Sequence, residues 1–213
     1  MRPAELTMTK NLILPTVCLV CALGLAAEAG RATAEGGENV RPVLMLVAAR
    51  DFSFEEFRPV ATGLRSAGFR IAVAASDSLR AQATDDSVVI PDLALRDVDP
   101  AAYSGLIVIG GIGSVLYWND SLVLGLVRSF AEGNRRVLAG IGVGPVLLAK
   151  AGVLRGRKAT AYADFRAVRF LAEGGAEYVN REIVSDGLIV TASGAAAAGK
   201  LVQAVAKALT AGQ

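Results

Sequence analysis

The chain of 213 residues contains no histidine, and its only two cysteines, Cys18 and Cys21, both lie within the first thirty residues. Those thirty residues have a character of their own. Arg2 and Lys10 precede an apolar run over residues 12–27, followed by the small-x-small triplet Ala27-Glu28-Ala29, with Ala32-Thr33-Ala34 as a second triplet of that kind. The pattern predicts a secretory signal over residues 1–29, a linker over 30–41 and one domain over 42–213. The alternative is an uncleaved membrane anchor, although the apolar run falls short of the roughly 20 residues that span a bilayer. Neither cysteine follows the Leu-small-small triplet of a lipoprotein signal. Cleavage places the protein outside the cytoplasm, secreted or periplasmic, with neither thiol nor imidazole. Structural disulfides, Cys/His zinc sites, Cys-His pairs and Ser-His-Asp triads are then excluded together. No metal and no cofactor is expected.

Charge of one sign is also scarce. The formal net charge is +2, and the leader's Arg2, Lys10, Glu5 and Glu28 cancel, so its removal changes nothing. No dense Lys/Arg cluster occurs, which argues against nucleic acid as partner and against any membrane contact beyond the leader. With 53% hydrophobic and 20% charged residues, the remainder is long and apolar enough for one sizeable core.

From Pro42 onward short apolar runs alternate with amphipathic stretches, which predicts βα units around a parallel sheet. Residues 43–48, 70–75, 105–109 and 137–141 read as buried strands. Residues 159–162, 183–185 and 188–191 read as later ones, the last two joined by Asp186-Gly187 as a hairpin. Residues 81–91 read as an excursion hairpin, and 97–103 as a turn. Helices are expected over 54–67 with Gly68 as its left-handed cap, 121–132 closed by Gly133-Asn134, 146–150, 167–173 and 195–209, with Ser193 as a cap.

The phrase Gly140-Ile141-Gly142-Val143-Gly144-Pro145 is a strand running into a tight turn and a helix. Around it, in order, stand Asp51-Phe52 with Glu55-Glu56-Phe57, Tyr103-Ser104-Gly105 leading to Gly111-Ile112-Gly113-Ser114, Gly152-Val153-Leu154 with Gly156-Arg157-Lys158-Ala159-Thr160, and Asp186-Gly187-Leu188-Ile189-Val190-Thr191. Together these phrases resemble the ThiJ/PfpI family, a branch of the class I glutamine amidotransferase-like folds. The resemblance spans nearly all of residues 43–209. It implies a flavodoxin-like, doubly wound α/β sandwich with a mostly parallel central sheet, and a homodimer or other homo-oligomer. In the family's usual pattern the turn reads Ala-Ile-Cys-His-Gly-Pro, with cysteine as nucleophile. Here Gly142 stands at the cysteine position and Val143 at the histidine position.

By the same resemblance Glu56 matches the acidic residue beside the nucleophile, with Glu55 as the alternative should the register slip by one. The amides at Gly110-Gly111 and Val143 match the oxyanion-hole donors. Tyr162 and Asp164 match a segment bordering the site. Elbow nucleophiles sit in strained backbone that glycine adopts without cost, so glycine at 142 keeps the turn and deletes the reactive group. The three glycines also suit close strand–helix packing. Glu56, buried without a cation, would be a protonated donor; alternatively it is an ordinary first-turn acid.

Other features point away from chemistry. Gly140-x-Gly142-x-Gly144 lacks a final glycine at Pro145, so no dinucleotide site is expected. Ser114 and Ser193 have no histidine to activate them. Tyr117-Trp118 either lines a pocket mouth or packs against the body. The expectation is an exported, non-catalytic module, small-molecule-binding or stress-associated, built around Glu56, Gly111, Gly142 and Val143, with Tyr162, Asp164 and Trp118 peripheral. Its ligand would be a small carbonyl or an anion. The alternative is a cysteine-independent hydratase or glyoxalase-like enzyme using Glu56 as general acid/base.

Overall fold

A computed structural model describes residues 41–133 and 135–211. The expected signal, the linker up to residue 40 and Asn134 lie outside the described residues. The strands are β1 (Val43–Leu46), β2 (Arg50–Phe52), β3 (Ile71–Ala75), β4 (Ala81–Ala83), β5 (Val88–Val89), β6 (Leu93–Ala94), β7 (Gly105–Val108), β8 (Val137–Ile141), β9 (Lys158–Ala159), β10 (Glu177–Tyr178), β11 (Ile183–Asp186) and β12 (Ile189–Ala192). The helices are α1 (Phe54–Ser66), α2 (Ser121–Glu132), α3 (Gly144–Lys150), α4 (Phe165–Glu173) and α5 (Ala198–Ala211).

Seven strands form the central sheet in the order β11-β12-β8-β7-β1-β3-β6. Every neighbouring pair is parallel except β11–β12, the hairpin turning at Gly187. This is the expected α/β architecture with a mostly parallel central sheet. The middle strands β1, β7 and β8 are buried at every position, as parallel strands covered on both faces must be. Leu44, Met45, Leu46, Leu106, Ile107, Leu138 and Ile141 form the heart of the core.

Helix α1 packs against α5, and α3 packs against both α2 and α4. The α1–α5 approach is close because Gly63 faces Val202; a β-carbon there would lie 2.9 Å from Val202 Cγ2. Gly140 plays the same part for α3: a β-carbon would meet Pro145 N at 2.8 Å and Leu148 Cδ1 at 2.9 Å. The tight-packing role read for the elbow glycines thus applies at Gly140.

Several expectations need correction. The strand expected over 159–162 is only β9, which pairs with β10 outside the central sheet. Past Ala159 the backbone turns to other partners: Thr160 N donates to Thr191 Oγ1 (2.9 Å) and Tyr162 N to Gly142 O (2.7 Å). Gly133 does close α2 as expected, with extended backbone at φ −71° and ψ 125°. Ser193 caps nothing, because a 3-10 turn at Ala195–Ala197, opened by Gly194, intervenes before α5. Helix α4 begins two residues earlier than expected, where Asp164 accepts from Arg166 N at 2.6 Å. The excursion over 81–91 is the β4–β5 hairpin, with β2 added alongside β4 to give a three-stranded ribbon. Strands β2, β6 and β10 were not expected.

Candidate functional site

The loops leaving β1, β7 and β8 meet at the carboxyl ends of these parallel strands, where doubly wound sheets place their sites. Their meeting point is Glu56. Ser53 is the N-cap of α1, and its Oγ accepts from Glu56 N at 3.3 Å. Ser53-x-x-Glu56 therefore has the sequence of a capping box, in which the glutamate would turn back to the N-cap amide. That return bond is diverted. Ser53 N donates instead to Gly110 O (3.0 Å), and Glu56 Oε2 accepts from Gly110 N (2.9 Å). Two reciprocal bonds thus clamp the start of α1 to the loop after β7, leaving Glu56 Oε1 without a protein partner among the described residues.

Glu56 is 8% exposed. Burial pushes its carboxyl pKa up from 4.5 to about 7, against the pull of the Gly110 N–H and with a smaller push from the charge of Glu55. No ion pair involves it among the described residues. Glu55, the alternative in the sequence reading, points to solvent. A carboxyl so placed is half neutral near physiological pH, able either to donate or to accept.

Gly142 lies directly behind that carboxyl. It adopts φ +63° at the β8–α3 elbow. A β-carbon there would fall on Glu56 Oε1, well inside van der Waals contact, and 2.7 Å from Glu56 Cδ. The glutamate carboxyl therefore fills the space that a side chain at 142 would take. Gly142 itself is buried and does not line the open cleft beyond. Its backbone fixes the neighbours: Gly142 N donates to Ala192 O (3.0 Å), and Gly142 O accepts from Tyr162 N.

The cleft, about 280 Å³, is lined by Glu56, Gly111, Val143, Trp118, Tyr162 and Asp164, all singled out in the sequence. It is also lined by Ser53, Ile112, Val115, Arg166 and Ala167, which were not. Gly111 adopts φ +108°, and a β-carbon on it would lie 2.5 Å from Ser53 N; only glycine allows the loop so near α1. Neither the Gly111 nor the Val143 amide nitrogen has a hydrogen-bond acceptor among the described residues. Asp164 caps α4, and its Oδ1 lies 3.6 Å from Arg166 Nε at the rim. Ile112, Val115 and Tyr162 are exposed, making the mouth largely apolar.

The aromatic pair divides between the two roles weighed for it. Tyr117 packs inward, its hydroxyl donating to Val47 O (3.2 Å) and accepting from Ser76 N (3.1 Å). Trp118 lines the cleft while standing edge-on to Phe170, with ring centroids 5.1 Å apart. Ser114 spends its hydroxyl on Gly111 O (2.8 Å). The described residues hold no cluster of three or more His, Cys, Asp or Glu suited to a metal ion, and no helix among them is long and apolar enough to cross a membrane. Of the neglected lining residues, only Ser53 carried a readable signal, its capping-box spacing to Glu56.

Known proteins share this arrangement of elements. The chain is 36% identical over 162 residues to an uncharacterised protein of Methanocaldococcus jannaschii, covering 74% of this chain and 78% of that one. It is 30% identical over 139 residues to protein/nucleic acid deglycase 2 of Escherichia coli, covering 64% and 78%. The crystal structure of a ThiJ/PfpI domain protein from Brachyspira murdochii superposes with a TM-score of 0.77 at 27% identity, over 81% of this chain and 98% of that one. The model of the DJ-1/PfpI family matches residues 41–208. The chain belongs to the DJ-1/PfpI family.

Proposed function

We propose that this protein is an exported, non-catalytic member of its family that binds a small molecule in the cleft at Glu56. The carrying observation is the Glu56 carboxyl over Gly142, at the place the family resemblance gives to a nucleophile. Relatives named deglycases occur among its matches. The chemistry that the resemblance associates with the elbow needs a thiol, and residues 41–213 contain neither cysteine nor histidine. What persists among the described residues is a binding apparatus: two unpartnered amides, a carboxyl with a free oxygen and an apolar mouth. Backbone donors survive loss of a side chain, so a cradle for a carbonyl or anion outlasts the nucleophile. The apolar run over residues 12–27 with its small-x-small triplets supports export.

The test is turnover of methylglyoxal and of glycated amino acids by the full chain, compared with Glu56→Gln. Both proteins are expected to match the uncatalysed rate, while small carbonyl or carboxylate compounds raise the melting temperature of the wild type. Turnover that disappears in Glu56→Gln would establish an enzyme and end this reading.

A further inference from the structure

The donor pattern of the cleft points beyond an unspecified small molecule. Ser53 Oγ accepts from Glu56 N, and its hydroxyl hydrogen has no acceptor among the described residues. The Gly111 and Val143 amides are donors without acceptors among the described residues. Glu56 Oε2 is held by Gly110 N, so a proton on this carboxyl resides on Oε1, the oxygen left free. With Glu56 protonated, four donors line the inner cleft. Its one fixed negative charge, Asp164, is already engaged by the α4 amide and lies near Arg166. Such a site is short of one thing, an anionic acceptor.

Size and lining narrow the class. A volume of about 280 Å³ lies at the lower edge of the roughly 300–1,000 Å³ range of ligand pockets. The apolar walls are Ile112, Val115, Trp118, Val143 and Ala167. We propose that the cleft binds a small monocarboxylate with a short apolar tail, its head between Glu56 Oε1 and the Gly111 and Val143 amides, with one proton held between the two carboxyl groups. This rests on the non-covalent binding reading above.

Two carboxyl groups in contact cannot both remain ionised. Where Glu56 is already neutral, a carboxylate binds with no change in protonation. Where Glu56 is ionised, one proton is taken from solvent and settles on Oε1, and no other bond forms or breaks. The charged groups around Glu56 are solvent-facing Glu55 on its own helix, whose charge acts on it, and Asp164 and Arg166 lining the same cleft from the start of α4; Tyr162 is the other titratable group lining the cleft. Binding therefore weakens as pH rises through about 7.

Calorimetry of the full chain with butyrate and with butyramide, at pH 6 and pH 8 in buffers of different ionisation heat, tests this directly. Butyrate is expected to bind about tenfold more weakly at pH 8 than at pH 6, with uptake of close to one proton at pH 8. Butyramide is expected to bind more weakly than butyrate at pH 6. Glu56→Gln, which retains a donor but cannot titrate, is expected to bind butyrate equally at both pH values. Butyrate binding in the wild type that ignores pH, or butyramide binding as tightly, overturns the carboxylate proposal while leaving a small-molecule site intact. If neither compound binds but methylglyoxal raises the melting temperature, the carboxylate proposal alone falls. If none of the three binds, the binding reading falls with it.

Discussion

Gly142 and Glu56 share one small volume, and neither can be understood alone. The glycine supplies a φ of +63° and no β-carbon, and the carboxyl takes the vacated space. A cysteine at 142 would carry two costs, left-handed backbone at about 1–2 kcal/mol and displacement of the buried carboxyl. Gly142→Cys is therefore expected to lower unfolding free energy by about 1–3 kcal/mol in urea denaturation. Because part of that cost is a clash, Glu56→Ala should be less damaging in the Gly142→Cys background than in the wild type, with a coupling of about 1 kcal/mol in a double-mutant cycle. Strict additivity would mean that the two residues do not compete for space.

At the level of elements, the cleft is a by-product of how three segments begin and end. The N-terminus of α1 is clamped to the loop after β7 through Ser53 and Gly110. The β8–α3 elbow is tied to the following segment through Tyr162. Helix α4, whose Asp164, Arg166 and Ala167 face the cleft, depends on the Asp164 cap. Asp164→Ala is expected to cost about 1 kcal/mol of stability and to speed amide exchange at Arg166 and Ala167 in the first turn of α4. Unchanged exchange there would show that tertiary packing, not the cap, fixes this wall.

Over the whole molecule, legibility in the sequence followed burial. Strands β1, β7 and β8 are covered on both faces, so they appear as unbroken apolar runs and their parallel arrangement follows from the alternating helices. The short strands β2, β6 and β10, two or three residues each, carry no usable period and are set by partners far along the chain. The cleft divides in the same way. Glu56, Gly111 and Val143 were reached through phrases of the family pattern; Ile112 stood in one of those phrases without being marked as lining, and Val115 in a 3-10 turn and Arg166 in the first turn of α4 carry no local signal that they face a cleft. The diverted bond of Glu56 was invisible, because the sequence of a capping box does not say where its glutamate will turn.

The same carboxyl ties the site to global stability. Its pKa is about 7 in the folded protein and 4.5 when exposed. A raised carboxyl contributes stability fully below the unfolded value, and that contribution is lost as pH rises through the folded one. The window is thus pH 4.5 to 7, and the full span is on the order of 3 kcal/mol. The direct measurement is the unfolding free energy of wild type and Glu56→Gln, by urea denaturation from pH 4.5 to pH 8. The wild type is expected to lose stability relative to Glu56→Gln as pH rises, most steeply between pH 5 and 7, and then to level off. Parallel curves across that range would mean that Glu56 titrates like an exposed carboxylate, contradicting its placement as a buried, protonatable floor of the cleft.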